Sequence, residues 1–219
     1  MKLIAFSKSK KEIKEDILLL LFNFLALSPF ICFSFQHFSI DSYGSMNNLD
    51  MHCLWWIGCF RYFGSAICKI WFLLGDNPVI NPVLDAFVFI VLAAISASIL
   101  SRFILKKLGT NSILSGFIVN LSVLISITNI WFTNILTFPE CVFATAIGVL
   151  LCFLSLTVYF GNKFKKPIRL LLSGILLVCS TAVFQQFLVV FIIYAVLLTS
   201  IEFIEKNEQK AKQVIITYL

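Results

Sequence analysis

The sequence predicts an all-α fold, a polytopic transmembrane helix bundle of about six spans with an outer interfacial helix, and three observations carry that prediction. Only 13% of the 219 residues are charged while 60% are hydrophobic, about half the charged share that a water-facing globular surface needs. Mean hydropathy is +0.98. The apolar residues gather in runs near the length that crosses roughly 30 Å of hydrocarbon, and the 17 Lys and Arg, against 11 Asp and Glu, fall between the runs. In a soluble chain that excess would suggest nucleic acid; here it reads as the charge bias of membrane loops, and no nucleic-acid partner is expected.

The first span covers residues 17–38, behind a polar head at 1–16 that carries Lys8, Lys10, Lys11 and Lys14. Its apolar run is too long for a signal peptide and no small-residue cleavage site follows Ser28-Pro29, so it stays as an anchor. The second span covers 82–101, with Asn81 and Pro82 as a capped helix start and Arg102, Lys106 and Lys107 after it. The third covers 111–130, once Gly109 has ended the preceding segment. Residues 131–140 form a short polar-aromatic turn, and the fourth span covers 141–160. Gly161, Asn162, Lys163, Lys165, Lys166 and Arg169 then interrupt the chain.

The last apolar stretch, 168–204, would be about 55 Å long as one helix, nearly two membrane thicknesses. Gln185-Gln186 sits near its middle, so two short spans with a polar turn are expected, although no Gly or Pro marks that turn. Charge tests the count. With both termini cytoplasmic, five cations lie in the head, three after the second span, four after the fourth and three in the tail at 205–219. Only Arg61 and Lys69 remain outside, a distribution that the positive-inside rule prefers over five spans.

Residues 39–81 form an outer loop longer than the other connections, and long loops are usually functional or disordered. Trp55, Trp56, Phe60, Tyr62, Phe63, Trp71 and Phe72 exclude disorder and suit an interfacial helix. The competing reading is a seventh span at 54–74, which would place Arg61 and Lys69 in hydrocarbon. A disulfide among Cys53, Cys59 and Cys68 is the less favoured state, since a buried free Cys behaves as a small hydrophobe.

Few polar residues offer chemistry. Asp41, just after the first span, can act as a general base at the outer surface or serve as turn chemistry in Asp-x-x-Gly. Arg61 can hold a phosphate bidentately or snorkel as an interfacial cation. Gln185 and Gln186 can hydrogen-bond a sugar or satisfy a turn. His37 and His52 lack a partnering carboxylate at metal-ligand spacing; Asp85 and Glu140 suit the first turns of their helices. Asp41 and Asp50 do not define a metal site.

Phe38-Ser39-Ile40-Asp41-Ser42-Tyr43, Trp56-Ile57-Gly58-Cys59-Phe60-Arg61-Tyr62-Phe63 and Phe184-Gln185-Gln186 together resemble the type II serotype-converting glucosyltransferases, polytopic enzymes of the GT-C class that decorate O-antigen and other surface polysaccharides. Residues 129–139 resemble that family's Asn- and Phe-rich outer turn. The sequence departs from the family in having Ser42 in place of a second acid, Phe60 where Gly is common, and Phe184 where Tyr is usual. The resemblance spans most of the chain and about half of a full-length member, so an N-terminal half is expected.

The resemblance implies a membrane glycosyltransferase in the cytoplasmic (inner) membrane of a bacterium. It would move glucose from a polyprenyl-phosphate donor, undecaprenyl-phosphate glucose being expected, to a surface glycan acceptor, without a cofactor. Asp41 would be the catalytic base, and Arg61, Gln185 and Tyr43 would bind substrate. The alternative is a non-catalytic membrane protein: a transporter, a flippase partner or an inactive remnant. Asn120 is the most central polar residue of the spans and no paired Gly/Pro interruptions occur, which argues mildly against transport.

Overall fold

A computed structural model describes residues 10–35, 49–75, 77, 81–110, 112–128 and 138–218. Among them the chain forms α1 (Lys10–Leu27), α2 (Leu49–Gly58), α3 (Tyr62–Leu73), α4 (Pro82–Leu108), α5 (Ile113–Ile127), α6 (Pro139–Tyr159), α7 (Lys166–Thr181) and α8 (Gln186–Tyr218), with a 3-10 segment Ser28–Phe35 extending α1. No strand occurs among the described residues, so the all-α bundle is the fold.

Each of the six predicted spans is helical over its described residues. Four stretches are long and apolar enough to cross a membrane: Lys10–Cys32, Pro82–Leu108, Cys141–Tyr159 and Gln186–Asn207. With 15 and 16 residues, α5 and α7 rise only about 22 and 24 Å, less than the roughly 30 Å hydrocarbon core. Successive helices run back and forth between two ends. One holds Arg102, Lys107, Lys166 and Arg169 and is here the basic end; the other holds α2, α3 and the turn between α7 and α8, and is the aromatic end.

Local signals account for most boundaries. Gly109, at φ 61°, closes α4 in the left-handed conformation that glycine adopts without a Cβ penalty. Prolines occupy the first turns of α4, α6 and α7, where no donor is lost. Asn81 stands at the N-cap of α4, but the expected capping bond is not made by its side chain; its backbone N–H instead donates to the Asn77 carbonyl at 2.8 Å. Helix α4 also runs past residue 101, which places Arg102, Lys106 and Lys107 on its last turns. Arg102 meets Asp16 at 2.5 Å and Glu15 at 3.0 Å on α1, and Lys107 pairs with Glu202 on α8.

The break between α7 and α8 needs no Gly or Pro. Ala182 N–H still donates to Val178 O, whereas Val183 N–H tightens onto Ser180 O at 3.0 Å and Phe187 N–H onto Phe184 O at 3.1 Å. Val183 and Phe184 are buried, and their burial fixes a turn that backbone propensity alone would not demand.

The core lies between α4, α6 and α7, where small residues let backbones approach. Ala86, Ala93, Ala94, Ala97, Ala144 and Ala146 are fully buried. Ser155 and Ser173 exchange hydroxyl-to-carbonyl bonds of 2.8 and 3.1 Å across α6 and α7. A second polar set joins three helices: Asn120 donates to Asn23 Oδ1 at 2.7 Å, Asn23 to Ser98 Oγ at 2.9 Å, and Ser101 to Asn120 Oδ1 at 2.9 Å. Bonds of this kind average about 0.6 kcal/mol each inside a membrane bundle. The large apolar residues left exposed on α1, α5 and α8, among them Leu18, Ile113 and Ile193, suit contact with lipid tails.

The segment at 49–75 differs from expectation. One interfacial helix was predicted, and two short helices form, because the chain reverses at Cys59–Arg61. The same reversal excludes the seventh span at 54–74: the 12 residues of α3 rise about 18 Å.

Candidate functional site

Helix α2 ends in a Schellman closure. Arg61 N–H reaches back to Trp56 O at 2.9 Å and Phe60 N–H to Ile57 O at 3.0 Å, the two bonds that terminate a helix through a left-handed residue. That residue is Phe60, at φ 60°. An L side chain pays about 1–2 kcal/mol there, which gives a physical reason why Gly is common at this position in the family that the chain resembles.

The reversal sets α3 against α2 and Arg61 at the corner. Ser65 Oγ donates to Cys53 O at 2.9 Å inside the hairpin, and Lys69 meets Asp50 at 3.2 Å on its surface, a pair too exposed to add much. Gly64 donates its N–H to Ala182 O at 3.3 Å. A Cβ at Gly64 would lie 2.3 Å from Trp56 Cζ3, so only glycine lets α3 approach the indole this closely. Trp71 closes the far side: Nε1 donates to Asp85 Oδ1 at 2.8 Å, and its indole stacks on Phe143 with centroids 4.1 Å apart.

Half-buried Arg61 therefore stands between two aromatic groups. Its guanidinium carbon lies 4.3 Å from the Phe184 centroid and 5.6 Å from that of Trp56, both within cation–π range. Trp56, fully buried, and Phe184 meet edge to face at 5.6 Å. The π systems of these two rings attract the cation and hold it at the corner. Gln185, exposed on the adjoining turn, donates from Nε2 to Cys59 O at 3.4 Å. Two of the predicted site residues, Arg61 and Gln185, thus meet at one corner although 124 positions separate them in the chain.

Asp41 and Tyr43 lie outside the described residues, as do His37 and residues 129–137. His52 sits on α2 and Glu140 on α6, with their side chains outside the description. Asp85 is fully buried and accepts the Trp71 bond, so it locks α3 to α4 beyond any effect of the helix dipole. All seven cysteines are free, and burial pushes the Cys53 thiol above its ordinary value.

Trp56 and Phe184 stand within the sequence motifs, but nothing local in the sequence shows that they hold Arg61. The sequence signal for Gly64 is that of an isolated glycine inside an aromatic helical segment, which marks a close approach.

These features define the class: a polytopic membrane protein whose aromatic end presents a clamped arginine. A family model described as Glucosyl transferase GtrII matches residues 30–219, and the chain belongs to that family. It is by family a membrane glycosyltransferase, of the glucosyl-transferring kind that modifies surface glycans. No curated protein and no solved structure matches the chain.

Proposed function

We propose that this chain acts in transferring glucose from a polyprenyl-phosphate donor to a surface glycan, at the outer side of a bacterial cytoplasmic membrane. The reading places both termini in the cytoplasm, the head at 1–16, the membrane domain at 17–204 with its outer loop at 39–81, and the tail at 205–219. A lipid-borne donor stays in the bilayer, so the reacting bond lies at headgroup depth. The observation that carries the reading is the aromatic clamp on Arg61, which presents a guanidinium at the end of the bundle assigned to the outer surface.

In the proposed step an acceptor hydroxyl oxygen attacks the anomeric carbon of the donor sugar. Asp41 accepts the hydroxyl proton, the bond between the anomeric carbon and the phosphate oxygen breaks, and its electron pair leaves with the polyprenyl phosphate. Arg61 stabilises the charge that grows on that phosphate, in the manner of preorganised electrostatics. Gln185 and Tyr43 hydrogen-bond the sugar. Donor, acceptor and side chains suffice for the atom balance.

The test separates binding from chemistry. In lipid nanodiscs, Arg61→Gln is expected to weaken polyprenyl-phosphate binding about 10- to 100-fold, equivalent to losing a charged hydrogen bond of roughly 1.5–3 kcal/mol. Asp41→Asn is expected to bind normally and, in cells, to insert at wild-type levels while abolishing glycan glucosylation. Wild-type affinity in Arg61→Gln removes the arginine from the site, and retained glucosylation in Asp41→Asn removes the acid.

A further inference from the structure

The basic end holds a feature that the glucosyl-transfer reading does not use. The ends of α4, α6, α7 and α8 border a half-open cavity of about 580 Å³, lined by Lys107, Lys166, Arg169 and Lys206 together with Glu202 and Glu205. Cations that only satisfy the membrane charge bias need reach no more than water, whereas these converge on one space. Lys107 is taken by its pair with Glu202. Lys166, Arg169 and Lys206 then stand against Glu205, three cations to one acid, an excess of two positive charges.

Arg169 forms a fixed wall of this cavity. Its Nη1 donates to Gly161 O at 2.9 Å and to Asn162 Oδ1 at 3.4 Å, which orients the guanidinium. Its Nε is buried and meets no acceptor among the described residues, so only the outer part of the guanidinium can reach the cavity. Helix α7 begins at the same wall, and no side chain caps its N-terminus, so the positive end of its dipole adds to the field. The volume falls in the range of roughly 300–1,000 Å³ that small-ligand sites occupy, which accommodates a phosphate with a small polar group attached.

We propose that this cavity binds a phosphate ester, supplied in the membrane by the headgroup of an anionic phospholipid seated among α4, α6, α7 and α8. Basic pockets between membrane helices recognise such headgroups by charge and hydrogen bonding together. The site is separate from the clamp on Arg61, which lies at the opposite end of the bundle.

The test uses the full chain in detergent micelles and three probes: phosphatidylglycerol, phosphatidylcholine and inorganic phosphate. The double variant Lys166→Gln, Lys206→Gln removes two cavity cations that are both exposed. The control Lys106→Gln, Lys163→Gln removes equal charge at the same end from residues that do not line the cavity. Phosphatidylglycerol is expected to bind at about one per chain by native mass spectrometry, in preference to phosphatidylcholine. The cavity variant should weaken it at least about tenfold, the factor one charged hydrogen bond supplies, and the control less than threefold. Inorganic phosphate binding with the same variant dependence and comparable affinity supports the site and identifies a free anion as its ligand. Equal loss in both double variants, equal binding of the two lipids, or no binding of phosphatidylglycerol and phosphate overturns the proposal.

Discussion

Replacing Gly64 by alanine perturbs the arginine clamp without touching the arginine. The added methyl would sit 2.3 Å from Trp56 Cζ3 and 2.6 Å from Cε3. That indole cannot step aside, because it is fully buried, meets Phe184 edge to face and lies under Arg61. Forcing a methyl into so tight a site costs about 1–3 kcal/mol, while alanine in a helix returns up to about 1 kcal/mol relative to glycine. The net expectation is a loss of about 1–2 kcal/mol. Gly174→Ala is the internal control, since nothing lies within 4 Å of its Cβ, and it should be neutral or up to about 1 kcal/mol more stable. Unfolding in mixed micelles, followed by tryptophan fluorescence, reads both. Because the indole must move, polyprenyl-phosphate affinity should fall with stability in Gly64→Ala and stay constant in Gly174→Ala. A Gly64→Ala protein with wild-type stability and wild-type affinity would refute the packing argument.

Phe60→Gly should be neutral or stabilising by up to about 1 kcal/mol, since glycine removes the left-handed penalty and gives part of it back as unfolded-chain entropy; a loss above 1 kcal/mol in the same unfolding assay contradicts the strained turn. Trp71→Phe keeps the stacking on Phe143 but removes the indole donor from buried Asp85, so a loss of about 1–3 kcal/mol is expected, and an unchanged midpoint would show that this bond does not hold α3. Asn120→Leu removes two interhelical bonds and should cost about 1–2 kcal/mol, measured as a lower thermal midpoint. Maleimide reacts through the thiolate, so Cys53, buried and with its thiol pushed up, should react at pH 7 at least about tenfold more slowly than half-buried Cys59, its rate still climbing as pH rises. Equal rates, read by mass spectrometry, would sink the α2–α3 packing.

Much of the bundle was legible because membrane spans announce themselves through length and charge. The break at Gln185-Gln186 followed from length and from the polar pair near the middle: a 37-residue stretch at 168–204 is too long for one crossing. The split of the segment at 49–75 was hidden, since neither Gly nor Pro stands at Cys59–Arg61 and the left-handed residue is a phenylalanine, a bulky type that rarely takes that conformation. Asn120 stood out as the central polar residue, but its partner Asn23 lies 97 positions away and no local pattern links them. Trp71 and Asp85 likewise belong to different helices, so their bond depends on how α3 docks. Of the candidate site, Arg61 and Gln185 are the residues that motif order suggests, while the clamp that holds the arginine arises from tertiary contact between α2 and the α7–α8 turn.

The most direct measurement is labelling of a cysteine placed at position 41, in a chain otherwise freed of reactive thiols, with a membrane-impermeant reagent added to intact cells. The account predicts modification from outside, slowed when a soluble short-chain polyprenyl phosphate is supplied. Modification only after the membrane is permeabilised would put position 41 on the cytoplasmic face and contradict the shared outer site of Asp41 and Arg61.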